Sequence, residues 1–225
     1  MVMGILRFVI AIFVVALLSN AAVARSCHYK KGEDRWGIKT SLPQGALSHD
    51  PTHIGLATFM ELENPPMTAA QKRALAKKRW SKGVELDGHV LHEGDMIEVE
   101  GYLYRAGCKP DGDYHLEIGT SSDSGKHCLI VELPDAGQVA DQILRQMVKR
   151  AHKELNTAPA KLFGSKFKQE NPVPIVVSGQ FFLDAHHLSK TGGNPSGGRG
   201  SRYNGKNCAV NVWEIHPVTG IQIGG

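Results

Sequence analysis

The sequence predicts an α+β protein that is mainly β, with one main helix in its C-terminal half. Residues 96–104 and 113–118 alternate apolar and polar side chains, whereas residues 137–155 repeat apolar side chains at helical spacing. A period of two places successive side chains on opposite faces of a strand, and a period near 3.6 gives a helix one apolar stripe. The two periods together indicate a half-buried sheet that packs against a helix.

The first 24 residues have the pattern of a secretory signal peptide. Arg7 precedes an apolar run over residues 8–18, and the small residues of 22–24 (Ala-Val-Ala) follow. A membrane-spanning helix needs about 20 apolar residues, so the shorter run favours cleavage over an uncleaved anchor. We expect the mature chain to begin after Ala24, to be periplasmic or extracellular, and to contain no membrane span.

The net charge and the length of the chain limit its class and its partners only broadly. The formal net charge of the 225 residues is +4, and removal of Arg7 lowers it further. A charge this small is no strong nucleic-acid signal. The mature part, about 200 residues, is long enough for one domain with its own core.

The four cysteines, Cys27, Cys108, Cys128 and Cys208, all lie in the predicted mature part. An even number of cysteines in an exported chain predicts disulfides, and three pairings exist. Cys108 and Cys128 flank a predicted hairpin, which favours Cys108–Cys128 together with Cys27–Cys208. A zinc site is the alternative, although the sequence has no C-x-x-C spacing.

Residues 25–90 are predicted to form an irregular N-terminal extension with a short helix. Residues 36–40 (WGIKT) suggest a short strand. Thr68 follows two prolines and is a suitable N-cap for a helix over residues 69–80. The remaining residues, 91–225, are predicted to form the main domain.

The elements of the main domain follow in the order of three strands, one helix and two strands. Asp111-Gly112 marks a turn after the first strand, and Pro134 ends the third. The predicted elements cover residues 96–104, 113–118, 128–133, 137–155, 173–183 and 209–223. This is the chain order of an OB-fold, and we therefore expect an OB-fold-like five-stranded barrel.

Acidic residues and histidines alternate with the predicted core residues along these strands. Period-two geometry turns them outward on the second, third and fifth strands, which adjoin one another in an OB barrel and form its usual ligand surface. The outward residues are Asp113, His115, Glu117, Glu132, Glu214 and His216, with Asp184, His186 and His187 following the fourth strand. The Gly-rich segment 191–206 would join the last two strands, either as a lid or as a spacer.

Three interpretations of this polar face stay open. In the first, His115, His187 (or His186) and His216 bind a divalent metal such as zinc, with Asp184 or Glu132 completing the site. In the second, the catalytic residues of a metal-free site are His115 and His216, each oriented by a neighbouring carboxylate (those of Asp113 and Glu214).

In the third interpretation the same groups form hydrogen-bonded pairs that only brace loops. No strong motif such as H-E-x-x-H decides between the three. A passive ligand site would use Glu132, Asp184 and His186.

Five dispersed segments resemble those of a family of uncharacterised exported bacterial proteins with an OB-like core. The segments are DRWGIKT at 34–40, DGDYHL at 111–116, IVELP at 130–134, GQFFLDAHH at 179–187 and WEIHPV at 213–218. The resemblance implies no reaction. It implies that segment 34–40 belongs with the polar site, where Arg35 and Lys39 would contribute positive charge to ligand binding.

The sequence therefore predicts an exported OB-like domain that binds a small or polymeric ligand through its polar face. The alternatives are a metal-dependent hydrolase and an envelope structural or interaction protein. The OB class is similar to that of staphylococcal-type nucleases, which use Ca²⁺, an acidic cluster and two arginines. This face is rich in histidine instead and has no matching arginine pair, so a phosphodiesterase or nuclease is an alternative only by analogy of fold.

Overall fold

The computed structural model describes Cys27 and residues 35–120, 127–164, 171–188 and 208–224. The predicted signal peptide and the Gly-rich segment 191–206 lie outside these ranges. No helix in the described ranges is long and apolar enough to cross a membrane.

The described part of the chain contains four α-helices and eight β-strands. The helices are α1 (Trp36–Lys39), α2 (Leu56–Met60), α3 (Ala69–Ala74) and α4 (Gln142–Leu155). The strands are β1 (Thr52–His53), β2 (Val84–Leu86), β3 (His89–Leu91), β4 (Met96–Cys108), β5 (Tyr114–Gly119), β6 (Cys128–Leu133), β7 (Val173–Leu183) and β8 (Ala209–Ile223).

Strands β4 to β8 close into a five-stranded barrel. Their order around the barrel is β4-β5-β6-β8-β7, and β7 pairs back onto β4. All of these pairings are antiparallel except the parallel pairing of β6 with β8. Helix α4 lies between the third and fourth barrel strands along the chain, so the predicted OB-like α+β fold is confirmed. Strand β1 adds a short sixth strand, parallel to β4.

The predicted strand boundaries agree closely with the structure. Strands β6, β7 and β8 have the predicted bounds, and β5 is displaced by one residue. Strand β4 continues past Tyr104 to Cys108, because its last residues pair with the start of β5 beyond a register shift between Leu103 and Arg105. The alternating pattern weakens at such a bulge, so the sequence alone did not reveal the extension.

Helix α4 begins five residues later than predicted. A short 3₁₀-helix over Ala136–Gln138 comes first, and the side chain of Asp141 then caps α4 by accepting a hydrogen bond from the Leu144 backbone N–H. Ile143, one of the apolar residues in the predicted helical pattern, is exposed, and Leu144 is buried in its place. The helical residues buried in the core are Leu144, Val148, Ala151 and Leu155.

The N-terminal extension differs from its prediction at two points. Residues Trp36–Lys39 form a helical turn rather than a strand, and this turn places Lys39 one turn after Arg35. Thr68 caps α3 as predicted, through a capping box with Gln71. The helix nevertheless ends at Ala74 and is followed by a 3₁₀ turn over Leu75–Lys77. The guanidinium of Arg35 donates to the carbonyl groups of Leu75 and Lys78 in this region.

Two disulfides join Cys27 to Cys108 and Cys128 to Cys208. The two bridges are as predicted in number, but the favoured pairing of Cys108 with Cys128 and of Cys27 with Cys208 is wrong. Cys108 lies opposite the first residue of β5, whereas Cys128 begins β6 beside the last residues of β5. The two cysteines therefore sit at opposite ends of the hairpin, out of bonding reach.

Removal of the bridge between β6 and β8 should destabilise the barrel. This bridge joins residues 80 positions apart, so it restricts the conformational freedom of the unfolded chain. Cys128→Ala/Cys208→Ala removes that restriction and should lower the free energy of unfolding by about 2–4 kcal/mol. Urea denaturation measures the loss. Peptide mapping of the oxidised wild type provides the control, and a peptide that joins Cys108 to Cys128 would contradict the pairing.

His152 on α4 should make stability depend on pH. Burial lowers its pKa from the ordinary 6.5, although its hydrogen bond to the carbonyl of Pro134 partly opposes the shift. The unfolded chain then binds a proton that the folded chain does not, so stability falls as the pH drops below 6.5. His152→Gln, which keeps a donor, should reduce this fall between about pH 7 and about pH 5.

Urea denaturation at the two pH values measures the effect. The exposed His127→Gln is the matched control and should behave as the wild type. An equal loss of stability in the wild type and in His152→Gln would show that His152 does not titrate in this way.

Candidate functional site

The predicted polar residues do share the outer face of β5, β6 and β8, but the expectation of a solvent-exposed face is wrong. Along β5 and β8 they alternate with core residues as predicted. Asp113, Glu214 and His216 nevertheless have no exposed surface, and His115, Glu117 and Glu132 are also buried. Segment 35–40 packs over this face and brings Lys39 onto Glu132. We call the contact group Lys39, Asp113, His115, Glu132 and His216 the buried polar cluster.

Glu132 lies at the centre of the buried polar cluster. Its Oε1 is 3.2 Å from Nδ1 of His115, the residue directly opposite on β5. Its Oε2 is 2.9 Å from Nδ1 of His216, on the neighbouring β8, and 3.3 Å from Nζ of Lys39. One carboxylate thus connects β5, β8 and the N-terminal segment.

The charges of the cluster follow from its contacts. Burial raises the pKa of Glu132, but the Lys39 charge and the contacts with His115 and His216 outweigh it and hold that pKa well below its usual range. Burial lowers the pKa of Lys39, yet the surrounding carboxylates, first that of Glu132, reverse this and raise it. Burial also lowers the pKa of His216. At neutral pH the cluster therefore combines a charged ammonium and carboxylate with a neutral His216 imidazole.

Asp113 approaches His216 from the other side. Its Oδ2 lies 3.5 Å from Nε2 of the imidazole. Asp113, Glu132 and His216 each offer one ligand atom, and these three atoms lie within 4.8 Å of one another. Two carboxylates and an imidazole are donors that divalent transition metals accept.

A cavity of about 240 Å³ opens beside the cluster, and we call it the polar cleft. Lys39, His115 and Glu132 reach its wall from the cluster. Its lining also includes Arg35, Lys109, Pro110, Asp111, Asp184, His186 and His187. The cleft thus mixes ammonium donors, carboxylate acceptors and imidazoles within a small volume.

The four residues predicted as metal ligands do not come together as one set. His187 lies near Asp184, with 3.5 Å between Nε2 and Oδ2, and both line the polar cleft. His216 is fully buried and belongs to the three-residue group with Asp113 and Glu132 instead. His115 orients Glu132 by a hydrogen bond.

Two of the acids predicted to point outward, Glu117 and Glu214, lie outside the buried polar cluster and do not line the polar cleft. Glu117 forms an ion pair with Arg105, and burial raises its pKa although that arginine partly offsets the effect. Glu214 is fully buried on β8, opposite Phe182 of β7, and does not line the polar cleft.

Arg35, predicted to bind ligand, is extensively bound within the protein. Its Nε donates to the carbonyl of Leu75 at 3.0 Å, and its Nη1 donates to the carbonyl of Leu183. It also forms a buried ion pair of 2.8 Å with Glu93 and lies over the Phe182 ring. Arg35 therefore fastens segment 35–40 and the end of α3 to the barrel.

Sequence reasoning missed Glu93. This buried carboxylate accepts hydrogen bonds from Arg35 and from the backbone N–H groups of Trp80 and Leu183. It stands in a turn between β3 and β4, where no periodic pattern marks a residue as buried. The sequence therefore offered no signal that would have paired Glu93 with Arg35.

A second cavity, of about 440 Å³, adjoins the polar cleft, and we call it the basic cleft. It shares Arg35 and His186 with the polar cleft and also contains Lys72 and Arg73. Lys72 donates to the carbonyl groups of His186 and Leu188, at 3.0 and 2.7 Å. Lys72 thus holds the backbone around His186, the residue that lines both cavities.

Comparison with protein-family models, with curated proteins and with solved structures finds no match to this chain.

Arg35→Met should destabilise the fold, because it leaves the buried carboxylate of Glu93 without its cation. Breaking a buried ion pair from one side costs about 3–5 kcal/mol, and we expect a loss of that size in urea denaturation. Arg150→Met, on the exposed side of α4, is the matched control and should change stability by less than about 0.5 kcal/mol. Equal stability of the two variants would contradict this structural role for Arg35.

Proposed function

We propose that the protein is an exported OB-like domain that binds a small polar ligand, or one unit of a polymeric ligand, in the polar cleft. The observation that carries this proposal is the cleft wall formed by Lys39, His115 and Glu132, three buried groups that hold one another in fixed positions. Titratable groups with shifted pKa values that converge on a cleft are typical of binding and catalytic sites.

Energetics support a function for this arrangement. A buried ion pair adds little to stability compared with apolar packing of the same volume. Lys39 and Glu132 are both nearly inaccessible to solvent, but both reach the lining of the cleft. Recognition of a polar ligand gives a reason for keeping these charges there.

The cleft restricts the ligand in size and chemistry. Its volume of about 240 Å³ is below the roughly 300–1,000 Å³ of cavities that hold drug-sized molecules. Lys39 and Lys109 suit an anionic or hydroxyl group, whereas Asp111 and Asp184 suit a hydroxyl or ammonium group. The adjoining basic cleft gives room for a further anionic unit. A sugar acid, an amino acid or a chain of such units fits these properties.

Export is part of this proposal. The N-terminal pattern of charge, apolar run and small residues favours a signal peptide that ends at Ala24. Two disulfides support an oxidising compartment such as the periplasm or the extracellular space.

Substitution of the cleft's more accessible lysine should weaken ligand binding. A panel of uronic acids, amino acids and small dicarboxylates is first screened by thermal shift, and the binding compound is then titrated calorimetrically. Loss of a hydrogen bond to a charged group costs about 1.5–3 kcal/mol, so Lys109→Ala should raise Kd about tenfold or more.

Lys153→Ala, on the exposed face of α4, is the matched control and should bind as the wild type. A panel without any binding compound would oppose the proposal. Binding that Lys109→Ala leaves unchanged would place the ligand outside the polar cleft.

A metal-dependent hydrolase, of phosphodiesterase or nuclease type, is the second candidate function. It is favoured by one observation, the convergence of Asp113, Glu132 and His216 directly behind the cleft wall. Hydrolysis of a chromogenic phosphodiester with added Zn²⁺, Mn²⁺ or Ca²⁺, and its loss in Asp113→Asn, would support this function. Absence of turnover with every metal would leave passive binding, or an envelope structural role, as the better account.

A further inference from the structure

We propose that Asp113, Glu132 and His216 form a binding site for one divalent transition-metal ion, and that the Lys39 ammonium competes with this ion. The proposal does not depend on ligand binding in the polar cleft. It differs from the set predicted from the sequence, because it keeps His216 and the alternative ligand Glu132 of β6, leaves out His115, His187 and Asp184, and adds Asp113, which directly precedes β5.

The distances are close to those of a metal site. Donor atoms at about 2.0–2.2 Å from one tetrahedral zinc ion lie about 3.3–3.6 Å from each other. The three candidate atoms already lie within 4.8 Å of one another. Side-chain movements that bring the Asp113 and Glu132 oxygens about an ångström closer to the imidazole nitrogen would therefore enclose an ion.

The imidazole of His216 is a second, independent observation. It has no exposed surface, and its Nε2 lacks a hydrogen-bond partner among the residues that the structure describes. Nδ1 lies 2.9 Å from Oε2 of Glu132, whereas Nε2 lies 3.5 Å from Oδ2 of Asp113. Buried imidazole nitrogens normally have a partner, and a metal bound to Nε2 would provide it.

Neighbouring contacts hold the proposed ligands in place. His115 forms a hydrogen bond with Oε1 of Glu132, and this leaves Oε2 facing His216. The side chain of Gln180 donates to the carbonyl of His216 at 2.5 Å, and the ring of Phe182 lies 5.4 Å from the imidazole. Such outer contacts orient ligands and strengthen metal sites.

Lys39 is the built-in competitor of the metal. Its Nζ lies 3.3 Å from Oε2 of Glu132, the oxygen that also faces His216. A cation at the three ligands and an ammonium on the same oxygen repel each other strongly in a buried environment. Metal binding must therefore displace Lys39, which sits on the N-terminal segment and not on the barrel.

The test uses the full mature chain, stripped of metal by dialysis against a chelator and titrated calorimetrically with Zn²⁺ and Mn²⁺. We expect one ion per chain in the wild type. Lys39→Met should bind at least about tenfold more tightly, because the competing charge is gone. Its melting temperature should rise on metal addition. Asp113→Asn and His216→Gln should each weaken binding at least about tenfold.

The exposed His89→Gln is the matched control and should bind metal as the wild type. If the ligand variants do not fold, Co²⁺ bound to the wild type and to Lys39→Met gives the answer. NMR should then show the His216 ring resonances shifted by the paramagnetic ion.

Two results would overturn the proposal. One is the absence of metal binding in both the wild type and Lys39→Met. The other is bound Co²⁺ that shifts only His186 and His187, which would place the ion in the polar cleft. These outcomes differ from failure of the proposed ligand binding, which is measured with organic compounds and Lys109→Ala.

Discussion

The contact between Lys39 and Glu132 joins the N-terminal segment to the barrel, and the arrangement of the polar site depends on it. Glu132 also contacts His115 and His216, so its carboxylate holds together parts of the chain that are far apart in sequence. Burying these charges is costly, and their attraction offsets the cost only when each partner is present. The second pair, Arg35 with Glu93, fixes the same segment from its other end.

The parallel pairing of β6 with β8 gives the site its composition. Ile130 lies opposite Glu214 and Val131 opposite Ile215, so the next residues along, Glu132 and His216, come side by side. The antiparallel pairing of β5 with β6 sets His115 on the other side of the same glutamate. An OB barrel is the fold in which these three strands adjoin, and its outer face is a common ligand surface.

The buried polar cluster and the polar cleft are two layers of one region. Lys39, His115 and Glu132 belong to both layers, whereas Asp113 and His216 lie only in the deeper one. A ligand in the cleft would meet the ammonium of Lys39, and a metal in the deeper layer would displace it. The position of Lys39 therefore links the two proposed binding events, because one uses its charge and the other is opposed by it.

The sequence by itself determined the barrel strands, their OB order and the residues of the outer face. Local alternation was sufficient for this, because a strand's period of two assigns each side chain to a face whatever lies nearby. Lys39 was associated with the site through the resemblance of segment 34–40, and the structure places it there.

Only the tertiary structure decided what covers that face, which cysteines pair and which acids meet His216. Glu132 is covered by Lys39 of a distant segment, and the place of Glu93 in a turn has no local signal at all. The disulfide pairing depends on strand register, because Cys108 lies opposite the start of β5 and Cys128 lies beside its end. These are non-local relations, set by strand register and by packing between residues tens of positions apart, and no short pattern in the chain encodes them.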